Sequence, residues 1–318
     1  MKTGLVLSGG SIKGAFQAGA IREILDAGVK PAGIYGISVG SLNGSFLTDR
    51  AGQAGRKGET PDWSAIGKEL GRFWLERIDS FGKIGKKRGA LKLLWNLLRG
   101  KFDGLIDTGN LHNLVDDMVD EDNLREAPVI FKAGSVNMAD GTLLEADNRT
   151  PNLIKYIIAS TAIPVIMPVS KISGQPLVDG GVRDVAAMKP AIDDGAEEIV
   201  CVLCQPRDMT GMQINTGNLM QFSERLMDIV INETVNNDIA WAEFINEHTP
   251  EDGSLALSGP MEGYRRVPLT VIRPSGPLDI DFTHFGRSDI ERIYEEGRTA
   301  AKPELKKRAE RMKTVSPV

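Results

Sequence analysis

The chain has 318 residues, 41% of them hydrophobic, which is enough to bury a substantial core. Its formal net charge of -5 offers no general attraction for nucleic acid, whose binding rests largely on neutralising phosphates, so no nucleic-acid partner is expected. No stretch approaches the roughly 18 to 20 uninterrupted apolar residues of a membrane span, and Met1 to Gly10 is too short and glycine-rich for a signal peptide, so the expected location is the cytoplasm.

Gly4 to Leu7 is a short apolar run ending in Ser8-Gly9-Gly10. Ala15, Ala18, Ile21, Ile24 and Leu25 then recur at helical spacing and stop at Gly28. A second apolar strand, Ala32 to Ile37, runs into Ser38 and a helix predicted to start near Val39. The opening of the chain is therefore a β-α-β unit with two parallel strands. Asp49 to Thr60 reads as a polar, glycine-rich loop, and residues 49–109 as a lid or substrate-selecting insert.

Inside that insert, Lys83, Lys86, Lys87, Arg88, Lys92, Arg99 and Lys101 alternate with leucines and Trp95, and no acidic residue interrupts Lys83 to Lys101. Such a basic amphipathic helix can lie in a bilayer interface, held by anionic head groups. The same pattern also fits a surface helix that packs its leucines on the core.

Further strands are predicted at Val129 to Val136, Leu143 to Ala146, Ile172 to Val178, Ile199 to Leu203 and Val267 to Ile272. Cys201 and Cys204 fall in or beside the fourth of these. A lone C-x-x-C lacks the second ligand pair of a structural zinc site, so they read as core or near-surface thiols in a reducing compartment, and no metal is expected. Ser288 to Met312 is charged and helical, with Pro303 expected to end or kink it. Strands alternating with helices argue for an α/β layer fold. The chain reads as one domain over residues 1–318, with its motifs in 4–207 and with C-terminal helices and a late strand in 208–318.

Three motifs carry chemistry. Gly36-Ile37-Ser38-Val39-Gly40 matches G-x-S-x-G and stands between a predicted strand and a predicted helix. A sharp turn there strains the serine backbone, projects the hydroxyl from the carboxyl end of the sheet, and brings it beside unpaired N–H groups of the helix start. By itself the pentapeptide also fits a small-residue turn with an idle serine. Gly9-Gly10-Ser11-Ile12-Lys13-Gly14 follows the first strand, and its turned backbone amides suit either a phosphate or the oxyanion of a tetrahedral intermediate. Its spacing fails both G-x-x-x-x-G-K-[ST] and G-x-G-x-x-G, which weakens a non-catalytic nucleotide- or anion-binding role.

An ordinary Ser-Asp-His triad would need a late histidine, His248 or His284, and neither stands in a recognisable turn after a strand. A carboxylate base is the alternative. Pro176-Leu177-Val178-Asp179-Gly180-Gly181 puts an aspartate at a strand end before two glycines, a pattern that is also a plain turn signal.

Together these motifs resemble those of the patatin-like phospholipases: a loop G-G-G-x-[RK]-G, then G-x-S-x-G, then D-G-[GA], in this order. Ala159 to Pro164 and Val267 to Pro274 also resemble family segments. The resemblance implies a three-layer α/β/α fold with a mainly parallel central sheet. It also implies hydrolysis of acyl esters of phospholipids or related lipids by a Ser38–Asp179 dyad, without histidine or cofactor.

Gly9, Gly10 and Ser11 would then form the oxyanion hole, with Lys13, Gly14, Gly36, Gly40, Gly180 and Gly181 as supporting positions. Ser11 stands where the family has a third glycine, and Lys13 replaces the commoner arginine, keeping the charge but not the planar fork. An aspartate near its reference pKa of about 3.9 is a weak base, so such a dyad would lean on a preorganised hole.

Overall fold

The computed structural model describes residues 1–210, 217 and 219–315; residues 211–216, 218 and 316–318 of the predicted C-terminal segment lie outside the described residues. In chain order the elements are β1 (Thr3–Leu7), α1 (Gly14–Asp26), β2 (Pro31–Ile37), α2 (Val39–Arg56), α3 (Trp63–Arg77), β3 (Lys86–Lys87), α4 (Ala90–Leu98) and β4 (Ile106–Asp107). Then come α5 (Gly109–Met118), α6 (Glu121–Glu126), β5 (Ile130–Asn137), β6 (Leu143–Asp147), α7 (Leu153–Ser160), β7 (Ser170–Ile172) and β8 (Gln175–Asp179). The chain continues with α8 (Met188–Asp193), β9 (Glu198–Val202), α9 (Leu219–His248), β10 (Leu269–Ile272) and α10 (Arg287–Val315).

Strands β10, β9, β1, β2 and β5 lie side by side and all parallel, while β6 and β8 pair with β5 antiparallel and β7 pairs with β8. The sheet is buried on both faces, as parallel sheets require. Leu5 and Leu7 of β1 join a core with Phe16 of α1, Leu47 of α2 and Ile293 of α10. Val6 between them points into a second core with Met188 of α8 and Val235 of α9. Period-two alternation of one strand thus feeds two cores, and the result is a helix-sheet-helix sandwich.

Three expectations change. Residues 49–56 of the predicted Asp49–Thr60 loop are the last turns of α2. Their glycines serve packing: a Cβ on Gly52 would collide with the Asn123 carbonyl, because α6 crosses there. Asp49 is buried and caps that crossing, accepting from the Asp120 amide at 2.8 Å and the Asn123 side-chain amide at 3.0 Å. The predicted strand Ile172–Val178 is a tight hairpin, since Ser173 and Gly174 both take left-handed φ (51° and 81°) and reverse the chain.

Finally, α10 runs on through Pro303. The proline removes one N–H that would bond the preceding turn, but the far half of the helix is anchored independently. Arg308 pairs with Glu198, which is 3% exposed at the start of β9 and also accepts from the Thr3 hydroxyl at 2.6 Å. Replacing Arg308 by methionine should therefore leave a buried carboxylate unpaired and lower stability by about 3 kcal/mol at neutral pH. Chemical denaturation checks this, and the loss should shrink in a Glu198→Gln background.

Candidate active site

Strand β5 acts as a ruler for the site. Its residues 132–134 pair with β2 on one edge and with β6 on the other, and residues 135 and 136 pair with β6 and β8. A strand has two edges, so β2 and β8 must lie end to end along the same one. Ile37 faces Gly134, and Asp179 faces the next residue, Ser135. Ser38 follows Ile37 directly, so the hydroxyl and the carboxyl converge on one point of β5.

The backbone leaves no spare room there. A Cβ on Gly180 would strike the Gly134 carbonyl, and one on Gly40 would strike the carbonyls of Leu7 and Ser8. Ser38 itself holds φ 56° and ψ -125°, a strained conformation at the sharp turn between β2 and α2. What holds it is a residue the sequence reading passed over. The Ser160 hydroxyl accepts from the Ser38 amide at 2.9 Å and donates to the Gly134 carbonyl at 2.6 Å. The Asp179 amide bonds the Ala162 carbonyl two residues further on, at 3.0 Å. The segment Ala159–Pro164 therefore ties both side chains to β5.

Asp179 is buried, and burial pushes its carboxyl up to about 6, against the opposing pull of a hydrogen bond from Ser38 and another from the Gly181 amide at 2.8 Å. Against the weak base expected of an aspartate near its reference value, desolvation raises the basicity of this carboxyl.

The glycine loop lies beside Ser38. Gly9, Gly10, Ser11, Lys13, Ser38 and Asp179 line one cavity of about 230 Å³. The Gly9 amide is occupied, donating to the Val185 carbonyl at 3.3 Å, so it is not available to an oxyanion; no hydrogen bond ties up the amides of Gly10 and Ser11. Ser11 adopts φ 53°, a left-handed conformation that the family's glycine would hold without strain. Lys13 reaches Asp228 of α9 with an N–O distance of 2.8 Å, so its charge ties the loop to that helix.

A buried polar chain supports the loop from behind. The Trp74 indole donates to Asn43 at 2.8 Å, and Asn43 donates to the Gly14 carbonyl at 3.1 Å and to Gln17 at 2.9 Å. Gln17 in turn donates to the carbonyls of Ser8 and Val202. No sequence motif marks these residues; a lone glutamine, Gln17, within the apolar face of α1 is the available signal.

The remaining candidates sit apart. His284 is exposed, bonded to the Thr283 hydroxyl, and does not line the cavity; His248 is exposed at the end of α9 against the Phe244 carbonyl. Cys201 and Cys204 are free and buried, and burial pushes both thiols up to about 12.

Raising Asp179 above its unfolded value means that its contribution to stability is fully present below about pH 4 and is lost as pH rises through about 6. Asp179→Asn keeps the acceptor for the Gly181 amide without the buried charge. The variant should gain on the order of 2 kcal/mol over the wild type at pH 8 and nothing at pH 4, as read from denaturation midpoints at the two pH values.

Comparison with known proteins identifies a family. The family model described as patatin-like phospholipase matches residues 5–192. Lysophospholipase NTE1 from two strains of Cryptococcus neoformans var. neoformans serotype D is 23% identical over 200 residues, which is 63% of this chain and 11% of each relative. This chain therefore spans only 11% of the length of the curated relatives it matches. The crystal structure of VipD from Legionella pneumophila aligns over 96% of this chain and 67% of its own, with a TM-score of 0.45 and 16% identity. With the family model covering well over half of the sequence, and all three motifs inside the matched span, the chain belongs to the patatin-like phospholipase family.

Proposed function

We propose that this protein is a lipid acyl hydrolase in which Ser38 is the nucleophile and Asp179 its base. The observation that carries the reading is the meeting of the two side chains at Gly134–Ser135 of β5, beside amides with no other partner. Asp179 takes the Ser38 proton as the oxygen attacks the acyl carbonyl, and the amides of Gly10 and Ser11 hold the resulting oxyanion. The proton then passes from Asp179 to the leaving alcohol as the ester C–O bond breaks. A water molecule, deprotonated by the same carboxylate, attacks the acyl-serine; as the Ser38 ester bond breaks, Asp179 returns the proton to the Ser38 oxygen and the carboxylic acid leaves. The scheme needs no metal or cofactor, and acyl transfer to an acceptor other than water is its natural variant. It treats residues 1–318 as one unit, with phospholipid or a related acyl lipid as substrate.

A second cavity supports a lipid substrate. It is small, about 50 Å³, and almost wholly apolar, and it shares Ser11, Ile12, Ser38, Ile163 and Phe282 with the first. Ser38 thus stands at the border between a cleft that suits an acyl chain and a wider one of mixed lining, with Lys13, Asp228 and Asp281 among its residues, that suits the leaving alcohol.

Contact with a membrane surface belongs to the same proposal. None of the residues of α4 is buried, and Leu91, Leu94, Trp95, Leu97 and Leu98 are all exposed, against the expectation for a helix packed on the core. Lys83, Lys86, Lys87, Lys92, Arg99 and Lys101 surround them, while Arg88 is mostly buried against Asp103. No helix among the described residues is long and apolar enough to cross a membrane, so the proposed contact is interfacial.

Ser38→Ala and Asp179→Asn should each cost at least about 10³-fold in turnover of a chromogenic ester. Near wild-type turnover in either would sink the dyad, and a loss confined to His284→Ala would point to the ordinary triad. In the wild type, kcat/KM should rise with pH through about 6, because the base must be ionised. For the surface helix, replacing Lys86, Lys87 and Lys92 by glutamate should weaken co-sedimentation with anionic vesicles tenfold or more and leave neutral vesicles unaffected, at about 1 kcal/mol per basic residue.

A further inference from the structure

Behind the apolar cleft lies a third cavity, of about 370 Å³, with exposed His112, Lys155 and Lys171 along its rim. The cleft and this outer cavity share three lining residues, Leu111, Thr161 and Met167, which are 5%, 4% and 7% exposed. Residues so buried, and lining both spaces, stand where the two meet.

We propose that this boundary is the chain-length determinant of the enzyme. The acyl chain of the substrate runs from Ser38 into the apolar cleft, and Leu111, Thr161 and Met167 close its far end. The inference rests on the hydrolase reading and extends it to substrate selection. Three features argue for a fixed wall.

Thr161 directly follows Ser160, the residue that holds Ser38 to β5, and its hydroxyl is satisfied by the Ile158 carbonyl at 2.8 Å, so its polar atom is already bound within α7. Met167 is tied through its amide to the Ile163 carbonyl at 2.8 Å, and the Ile166 carbonyl before it accepts from the amides of Leu105 and Ile106. Leu111 sits on α5, whose buried residues Leu111, Val115 and Met118 belong to the main core. The wall is therefore built into the same frame that positions the nucleophile, and its distance from Ser38 is fixed.

Of the three, Met167 is the residue whose size can be changed with least effect on that frame, because an unbranched thioether tolerates substitution. Removing it joins the cleft to the outer cavity, and enlarging it shortens the cleft. The experiment is a profile of kcat/KM for nitrophenyl esters from acetate to palmitate in the wild type, Met167→Ala and Met167→Phe, with Leu111→Phe as an independent route to a shorter cleft.

In the wild type, kcat/KM should climb about fourfold with each methylene buried, then fall once the chain end meets the wall. Met167→Ala should move the turning point to longer esters and raise the ratio of palmitate to butyrate turnover by about tenfold or more; the two phenylalanine variants should move it to shorter ones. An unchanged profile in all variants, with hydrolysis still abolished by Ser38→Ala, overturns the wall and leaves the hydrolase reading standing. Absence of Ser38-dependent turnover for every ester, in a protein with a cooperative unfolding transition, removes both.

Discussion

The site depends on one hydroxyl in one register. Ser160 joins the Ser38 amide to the Gly134 carbonyl, and so fixes the end of β2 against the strand that also receives the end of β8. Without such a bridge, two chain ends meeting along one edge of β5 would leave a gap in the hydrogen-bond ladder and two unpaired polar groups in the core, each costing about 1 to 3 kcal/mol. The bridge satisfies both groups and holds a serine backbone at positive φ that would otherwise relax. It also explains why α7 belongs to the active centre although none of its side chains carries the chemistry.

The frame makes a costly arrangement tolerable. Asp179 is buried with two hydrogen-bond donors and, among the described residues, no cation to offset its charge, so its ionised form is destabilised and its basicity rises. Asp184, half-buried near Asp238, is likewise pushed up to about 6, chiefly by desolvation. Two carboxylates strained in the same direction draw on stability supplied elsewhere, by the double-sided core and by the anchored end of α10. The polar chain from Trp74 through Asn43 to Gln17 is the opposite case: its buried groups are mutually satisfied, and they stiffen the loop that lies beside Ser38.

Much of this was legible in the sequence, because the motifs lie where chain direction and local periodicity coincide. The strand, glycine turn, helix and second strand before Ser38 follow from apolar runs broken at Gly9–Gly10 and Gly28, and the structure has them within a residue or two. Reading failed where tertiary contact overruled a local signal. Gly52 looked like a loop residue and is a helix crossing; Pro303 is expected from sequence to end or kink its helix, yet the helix does not end there and is held beyond it through Arg308.

Ser173-Gly174 hid a hairpin inside one apolar run. Ser160 was invisible as a bridge because its role exists only once β2, β5 and α7 are assembled. The raised basicity of Asp179 was equally out of reach, since burial is a property of the fold and not of the tripeptide around the residue.

The same logic bears on how a lipid would be oriented. A carbonyl carbon at Ser38 has the free amides of Gly10 and Ser11 on one side, and its two substituents must then divide between the remaining spaces. The apolar cleft offers almost no polar surface, so placing a glycerol or phosphate group there would strip its water without replacement, at several kcal/mol. The wider cavity is lined by Lys13, Arg225, Asp228, Asp279 and Asp281 alongside apolar groups, and it can solvate a polar leaving group while the cleft rewards methylenes. On the proposed hydrolase reading, the asymmetry of the two spaces, and not any single contact, would point the acyl chain toward α5 and the alcohol toward α9.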